Sequence, residues 1–293
     1  MSTSMRLFIG GARGSSVVAD PACRIYGGDT TALLLEHPDG GRILIDAGSG
    51  LRLVERRLAA CPGAGDPAML MTHYHLDHLL GFPSFSPIYR PGTQLRILGP
   101  AGVKSSPASI FGALMSRPFW PLELGELRAD LQFEGLNPLA NEEPLRINGF
   151  VIRWFPLAHP GGCLAYRISL TPDSPAVVIA TDYEWDRAPP QAQAAFVTFC
   201  RTPAPPALLL MDGHYRQAEL AQYRGWGHSS SEQVAAVARA VGAAQFLVTH
   251  HAPLADDVVL AARERELQAE SPRGAWARQG TVYAVTSAAA GGA

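Results

Sequence analysis

Ala68-Met69-Leu70-Met71-Thr72-His73-Tyr74-His75-Leu76-Asp77-His78 is the stretch whose reading decides the fold. The apolar run from Ala68 to Thr72 reads as a short buried strand, and an HxHxDH cluster follows at its end. In extended backbone His73 and His75 point the same way, because side chains alternate with period two. A turn after them brings Asp77 and His78 to a second position nearby. Four groups that can ligate a metal therefore converge. Neutral imidazoles and carboxylates are donors that suit zinc, manganese or iron.

Working outward, the chain alternates strands with polar clusters. Before the histidines, Arg6 to Ile9, Thr31 to Glu36 and Arg42 to Asp46 read as a β meander, separated by Gly-Gly and Pro-Asp-Gly-Gly turns. Leu51 to Ala60 has helical spacing. The Gly10-to-Ser16 stretch lacks the Lys-Ser/Thr of a phosphate cradle and reads as a turn near the site. After the cluster, prolines interrupt residues 81–148, and only Gln94 to Leu98 looks firmly extended. This segment is expected to be an insertion that shapes a pocket. Its Tyr89, Arg90, Arg117, Phe119 and Trp120 are scattered and are assigned no role. In the second half Phe150 to Phe155, Leu164 to Leu170, Ala176 to Thr181, Ala207 to Met211 and Gln245 to Thr249 all read as strands. Ser230 to Val241 reads as a helix, capped by Ser229 or Ser230 with Glu232 and Gln233 behind. The expectation is one domain over residues 1–293, with two sheets packed together under outer helices; local patterns do not set the strand order.

Composition narrows the partners. Of the 293 residues 47% are hydrophobic and 17% charged, which is ordinary globular usage. A formal net charge of −2 gives no basic field for a polyanion, so nucleic acid is disfavoured. Lys104 is the single lysine. No run reaches the ~18 uncharged apolar residues of a membrane span, and the start lacks the apolar core of a signal peptide, so a cytoplasmic location is expected. The scattered Cys23, Cys61, Cys163 and Cys200 fit reduced thiols better than a disulfide framework or a zinc ribbon. The final Ala288-to-Ala293 run reads as a frayed tail.

Three further clusters complete a pattern: His159 in Leu157-Ala158-His159-Pro160-Gly161-Gly162, Asp182 in Ala180-Thr181-Asp182-Tyr183-Glu184, and His250 in Val248-Thr249-His250-His251. With HxHxDH these residues resemble the metallo-β-lactamase superfamily, over nearly the whole chain. Within it the chain is most similar to the phosphodiesterase branch that includes ribonuclease Z and the cyclic-phosphodiester hydrolases. The resemblance implies a four-layer αββα sandwich of two mixed sheets flanked by helices. It also implies two divalent ions, with zinc favoured and manganese or iron as alternatives. His73, His75 and His159 would hold one ion and Asp77, His78 and His250 the other, with Asp182 bridging. His250 and His251 compete for the last place, and the branch's strand-Thr-His pattern favours His250. Asp46 resembles the aspartate that supports the metals from below.

The resemblance extends to a catalytic pair. Gly225-Trp226-Gly227-His228-Ser229-Ser230 resembles the branch's Gly-His-Ser-Thr motif, and Met211-Asp212-Gly213-His214 stands where the branch has His-Glu-Ala-Thr. By that likeness His228 is a general acid oriented by Asp212, acting with Asp77 and a metal-bridged hydroxide. Aspartate in place of glutamate shortens the reach by one methylene. His214 is expected to play a supporting or surface role. In ribonuclease Z a tRNA-clamping arm lies between the third-histidine motif and the bridging aspartate; here only Pro160 to Thr181 stand there, enough for a hairpin. A small, cyclic or linear phosphodiester is therefore the expected substrate, and a homodimer is compatible with the resemblance. The alternatives are an acyl hydrolase of the same fold, such as a lactonase, β-lactamase or thioesterase, and, from another class, a non-catalytic metal-binding sensor.

Overall fold

Period-two burial organises both halves of the chain. In the strand Ala176–Ala180, Val177 and Ile179 enter the core between the sheets while Val178 and Ala180 enter a core under helices, so every residue is buried. A strand covered on both faces reads as a continuous apolar run for this reason. The computed structural model describes residues 4–61, 63–102, 105–139 and 143–286; Lys104 and the Ala288-to-Ala293 tail lie outside them.

The strands in chain order are β1 (Met5–Gly11), β2 (Ala32–Glu36), β3 (Arg42–Ile45), β4 (Ala68–Leu70), β5 (Gln94–Pro100), β6 (Asp130–Leu136), β7 (Leu145–Ile147), β8 (Phe150–Leu157), β9 (Cys163–Ser169), β10 (Ala176–Ala180), β11 (Leu208–Asp212), β12 (Gln245–Thr249), β13 (Gly274–Trp276) and β14 (Val282–Val285). They form two seven-stranded sheets, ordered β14-β1-β2-β3-β4-β5-β6 and β13-β12-β11-β10-β9-β8-β7. Each is mixed. Antiparallel pairing runs from β14 to β3 in the first and from β7 to β10 in the second, and parallel pairing continues to the other edge. Helices α1 (Leu51–Ala60) and α2 (Pro107–Leu114) cover the outer face of the first sheet, and α3 (Pro190–Arg201), α4 (Ser231–Val241) and α5 (Asp257–Glu270) cover that of the second. The architecture is the expected four-layer αββα sandwich. Its inner core draws on residues from Met5 to Val285.

The structure adds elements that local patterns did not show. β7 and β13 have three residues each, too short for a periodic signal. β6 is an edge strand of half-exposed polar and apolar residues. α3 begins on Pro190 and α5 is capped by Asp256, both recognisable start signals. The helical residues of α5, however, form no clean apolar stripe. α4 is capped by Ser230, with Gln233 reaching back to close a capping box. Tyr89 and Trp120 pack into the outer core under the first sheet, with the Trp120 indole donating to the Tyr89 hydroxyl, whereas Phe119 is exposed.

Three cross-sheet hydrogen bonds hold the histidine loop against the second sheet. Tyr166 donates its hydroxyl to the Met71 carbonyl at 2.6 Å, the Leu164 N–H bonds the Thr72 carbonyl at 2.9 Å, and the Thr181 hydroxyl meets that of Thr72 at 3.3 Å. Tyr166→Phe leaves a buried carbonyl without its donor and is expected to cost roughly 1–2 kcal/mol, read as a lower urea midpoint with an unchanged slope.

Candidate metal centre

The carboxyl ends of six strands converge on one spot. Thr72 to His78 follow β4, His159 follows β8, Asp182 follows β10 and His250 follows β12; Asp46 follows β3 and Asp212 ends β11. Three of these residues leave their strands in the left-handed region: Asp46 at φ 60°, Asp182 at 51° and His250 at 59°. Non-glycine residues are held there only when the surroundings enforce it, at a cost of about 1–3 kcal/mol each, and such outliers gather at functional sites. The conformation bends the chain sharply enough to turn each side chain inward from a strand's last residue.

The side chains meet in two main groups, overlapped by a third of Asp182, His228 and His250. Ligating atoms of His73, His75, His159 and Asp182 all lie within 4.8 Å of one another, and so do those of Asp77, His78 and His250 and those of the third group. Asp182 touches both: one oxygen lies 3.1 Å from His250 Nε2 and 3.7 Å from His73 Nε2, the other 3.2 Å from His78 Nε2. Asp77 Oδ2 lies 3.4 Å from His78 Nε2 and 3.3 Å from His250 Nε2, while His159 Nε2 faces His75 Nδ1 at 3.0 Å. Donors around a shared tetrahedral ion with bonds of 2.0–2.1 Å sit about 3.3 Å apart, so this spacing suits divalent ions. His73 Nε2, His78 Nε2 and Asp182 Oδ2 are buried without a hydrogen-bond partner among the described residues. Buried polar atoms in folded proteins are mostly satisfied, and these three face the cluster's interior. The donor set fits a divalent cation.

A supporting layer orients the rings. Asp46 accepts from the Thr72 N–H and hydroxyl and from His78 Nδ1 at 2.8 Å, the expected place beneath the cluster. His159 Nδ1 donates to the Gly227 carbonyl at 2.9 Å, and His73 Nδ1 meets the Thr72 hydroxyl at 3.1 Å. Each of these bonds occupies Nδ1 and points Nε2 inward, where it can ligate once deprotonated. Gly10 and Gly11 end β1 rather than opening a turn, and the loop after them lies against the site, where the Ser15 N–H donates to Asp77 Oδ2. A Cβ at Gly14 would collide with the His250 ring, and one at Gly227 with that of His159. His251 turns away into the core, donating from Nε2 to the Ala277 carbonyl and packing against Tyr26 and Trp276.

His228 lies beside the cluster. Its Nδ1 is 2.9 Å from Asp212 Oδ2 and 3.9 Å from Asp182 Oδ1, so the nearer carboxylate holds it and aspartate suffices for the reach. Asp212 also accepts the N–H groups of Tyr183 and His214. Sequence reading left Glu184 unassigned and gave His214 a supporting or surface role. Glu184 is buried and accepts the N–H groups of Gly225 and Gly227, clamping the loop that carries His228. His214 stacks on His228 and donates from Nδ1 to the His250 carbonyl; burial brings its pKa down to about 3. Only the proximity of Glu184 to Asp182 in sequence hinted at the clamp.

Charge balance explains the electrostatics. Burial opposes the ionised forms of Asp77 and Asp182, but the surrounding imidazoles outweigh it and hold both far below the usual carboxylate range. Burial likewise opposes protonation of His250, yet Asp182 and Asp77 push its pKa up to about 10 and raise that of His78 as well. His73, His75 and His159, dominated by burial, are shifted down and stay neutral. Without a metal, therefore, two imidazolium ions neutralise two buried carboxylates.

Two packed mixed sheets with histidines and aspartates at their strand ends define a class of metal-dependent hydrolases. The chain belongs to the beta-lactamase superfamily, whose domain model matches residues 41–251. Ribonuclease BN of Escherichia coli O7:K1 (strain IAI39 / ExPEC) is 27% identical over 306 residues, covering 88% of this chain and 94% of its own. The metallo-beta-lactamase fold protein YhfI from Bacillus subtilis superposes with a TM-score of 0.69 at 20% identity, over 95% of this chain and 99% of that one. A diphosphatase from the PhnP family does so with a TM-score of 0.67 at 16% identity, over 96% and 98%. These likenesses to solved structures concern the fold.

Metal binding must displace the protons on His78 and His250, so it is expected to release protons at neutral pH and to strengthen as pH rises. The raised His250 pKa stabilises the metal-free fold fully below the unfolded value of about 6.5, and this stabilisation is lost as pH climbs through about 10. The gap in melting temperature between zinc-loaded and stripped protein is therefore expected to widen over that window. Asp46→Ala removes the acceptor that orients His78 and is expected to weaken metal affinity about 10- to 100-fold, measured by chelator competition.

Proposed function

We propose that this chain is a dinuclear, metal-dependent phosphodiesterase acting on a small cyclic or linear phosphodiester. The observation that carries the reading is the His228–Asp212 pair at 2.9 Å beside the His/Asp cluster. A β-lactam or thioester site has no need of this acid pair, whereas a phosphodiester's alkoxide leaving group requires a proton. Asp212 holds His228 by Nδ1, which leaves Nε2 as the atom that delivers the proton to the departing oxygen. His73, His75 and His159 would hold one ion and Asp77, His78 and His250 the other, with Asp182 between them; zinc suits these donors best, with manganese or iron as alternatives. When bound, the pair supplies charge neutralisation at the non-bridging oxygens and a water acidic enough to attack at neutral pH. Ser15, through its N–H bond to Asp77, keeps that carboxylate from turning out of line.

Features around the cluster support a small substrate. His75 and Leu76 are exposed on the open side, and the Trp226 side chain next to His228 is 64% exposed, offering an apolar surface beside a charged centre. The interval from His159 to Asp182 is filled by β9, a turn at Thr171 to Ser174, and β10, with no room for an RNA-clamping arm. The name of the Escherichia coli relative points to RNA, but a net charge of −2 offers no field for a polyanion. β5 runs parallel to β4, so the segment leaving Pro100 emerges at the site's end of the sheet, where the Tyr74 hydroxyl bonds the Pro100 carbonyl. We assign the shaping of the pocket to that part of residues 81–148, within a single domain of 1–293. The four free cysteines suit the cytoplasm, and no helix among the described residues is long and apolar enough to cross a membrane.

The test is hydrolysis of bis(p-nitrophenyl) phosphate by zinc- or manganese-loaded protein. His228→Ala is expected to lower kcat about 10²- to 10⁴-fold while two metal ions per chain remain bound. Full activity in this variant would remove the acid assignment. Turnover of a lactone panel without phosphodiester cleavage would favour the acyl hydrolase, and ligand binding without any turnover would favour a sensor.

A further inference from the structure

On the outer face of the second sheet two arginines share a pocket, and among the described residues no carboxylate pairs with either. Arg153 of β8 and Arg167 of β9 are direct cross-strand partners, so their side chains leave the same face. That face is the outer one: the neighbouring Ile152 and Trp154 enter the core between the sheets, while Phe155 packs on Phe196 and Phe199 of α3. Like charges directly opposite each other weaken a strand pair. Among the described residues neither arginine forms an ion pair with a carboxylate, and the exposed Asp173 at the pocket's rim pairs with neither. The Cys200 thiol beside Arg167 is held neutral by burial and does not balance it.

Arg167 is the more telling of the two. It is 4% exposed, and its Nη2 donates to the Ala204 carbonyl at 3.1 Å, while its Nη1 is buried with no hydrogen-bond partner. A buried charged donor that lacks an acceptor is strongly disfavoured unless something else supplies one. The cavity it lines has a volume of about 480 Å³, within the range of small-molecule sites, and Val151, Phe199 and Pro203 give it apolar walls. Arg167 lies four residues from Cys163, whose thiol bonds the Thr181 carbonyl next to Asp182. At ~3.3 Å per residue Arg167 is therefore about 13 Å along β9 from Cys163, which stands at the metal centre's end of the strand, and the pocket opens on the opposite face from the inner core.

We infer that this pocket is a second, non-catalytic binding site for a small organic anion, with an apolar or aromatic body against Val151, Phe199 and Pro203 and a phosphate or carboxylate head between Arg153 and Arg167. Guanidinium forks accept either head group through paired N–H donors. The site does not depend on the proposed chemistry of the metal centre.

Backbone amide NMR on the full-length protein reads this site separately from the metals. Phenyl phosphate, benzoate and neutral benzyl alcohol are titrated in parallel, and the amides of Arg153, Arg167 and Phe199 are followed. Saturable shifts are expected with at least one of the anions and none with the alcohol; the anion that binds identifies the head group. Arg153→Gln, at a half-exposed position, is expected to weaken binding read at Arg167 and Phe199 about tenfold or more, while bis(p-nitrophenyl) phosphate turnover without added ligand stays unchanged. Arg167→Gln should show the same loss if it folds, and Arg153→Gln decides the matter if it does not. Absence of any titration at millimolar anion, equal shifts with benzyl alcohol, or an unchanged affinity in Arg153→Gln would overturn the proposal.

Discussion

The buried carboxylate of Asp182 is the group on which the arrangement turns. It leaves β10 in a left-handed conformation, is almost wholly shielded from water, and faces imidazoles from the loops after β4 and β12. An uncompensated charge in such a place costs several kcal/mol, so Asp182 is buried where His250 of its own sheet and His78 from the first sheet offset it. The electrostatic requirement and the packing of the two sheets are thus one condition. The Tyr166, Leu164 and Thr181 bonds to the strand end before His73 set the registration that satisfies it.

The frame tolerates a strained centre because it is strongly apolar elsewhere. Three layers of buried side chains, one between the sheets and one under each set of helices, surround a cluster with left-handed aspartates and unsatisfied ring nitrogens. Violations of local rules are expected where a site is built, and here Asp182, His250, His73 and His78 are among the residues that carry them. Glu184 extends the same logic outward. Its carboxylate gathers the N–H groups of a glycine loop and so positions His228 without touching the cluster.

The β8–β9 pair links the two proposed sites. Its inner face contributes Ile152, Trp154, Leu164, Tyr166 and Ile168 to the central core, and one end leads to His159. Its outer face carries the arginine pocket under the end of α3. A single antiparallel ribbon can serve three surroundings because successive side chains alternate between faces, and each face meets different neighbours along its length.

Much of this was determined by the sequence alone, because the deciding patterns are local. HxHxDH after an apolar strand, strand-terminal His159, Asp182 and His250, the α1 and α4 periodicities and a serine cap at Ser229 or Ser230 all depend on residues a few positions apart. The tertiary structure decided what local spacing does not carry. Strand order, the facing of His250 toward the cluster and of His251 into the core, the seat of Asp46 beneath His78, the Glu184 clamp, the placement of His214 against His228 and the facing of Arg153 and Arg167 each join residues from separate elements. The short β7 and β13 likewise exist only through their pairing partners. Side-chain alternation and helical spacing come from the geometry of the backbone next door, whereas these contacts exist only once two seven-stranded sheets have packed and brought distant residues within hydrogen-bonding range.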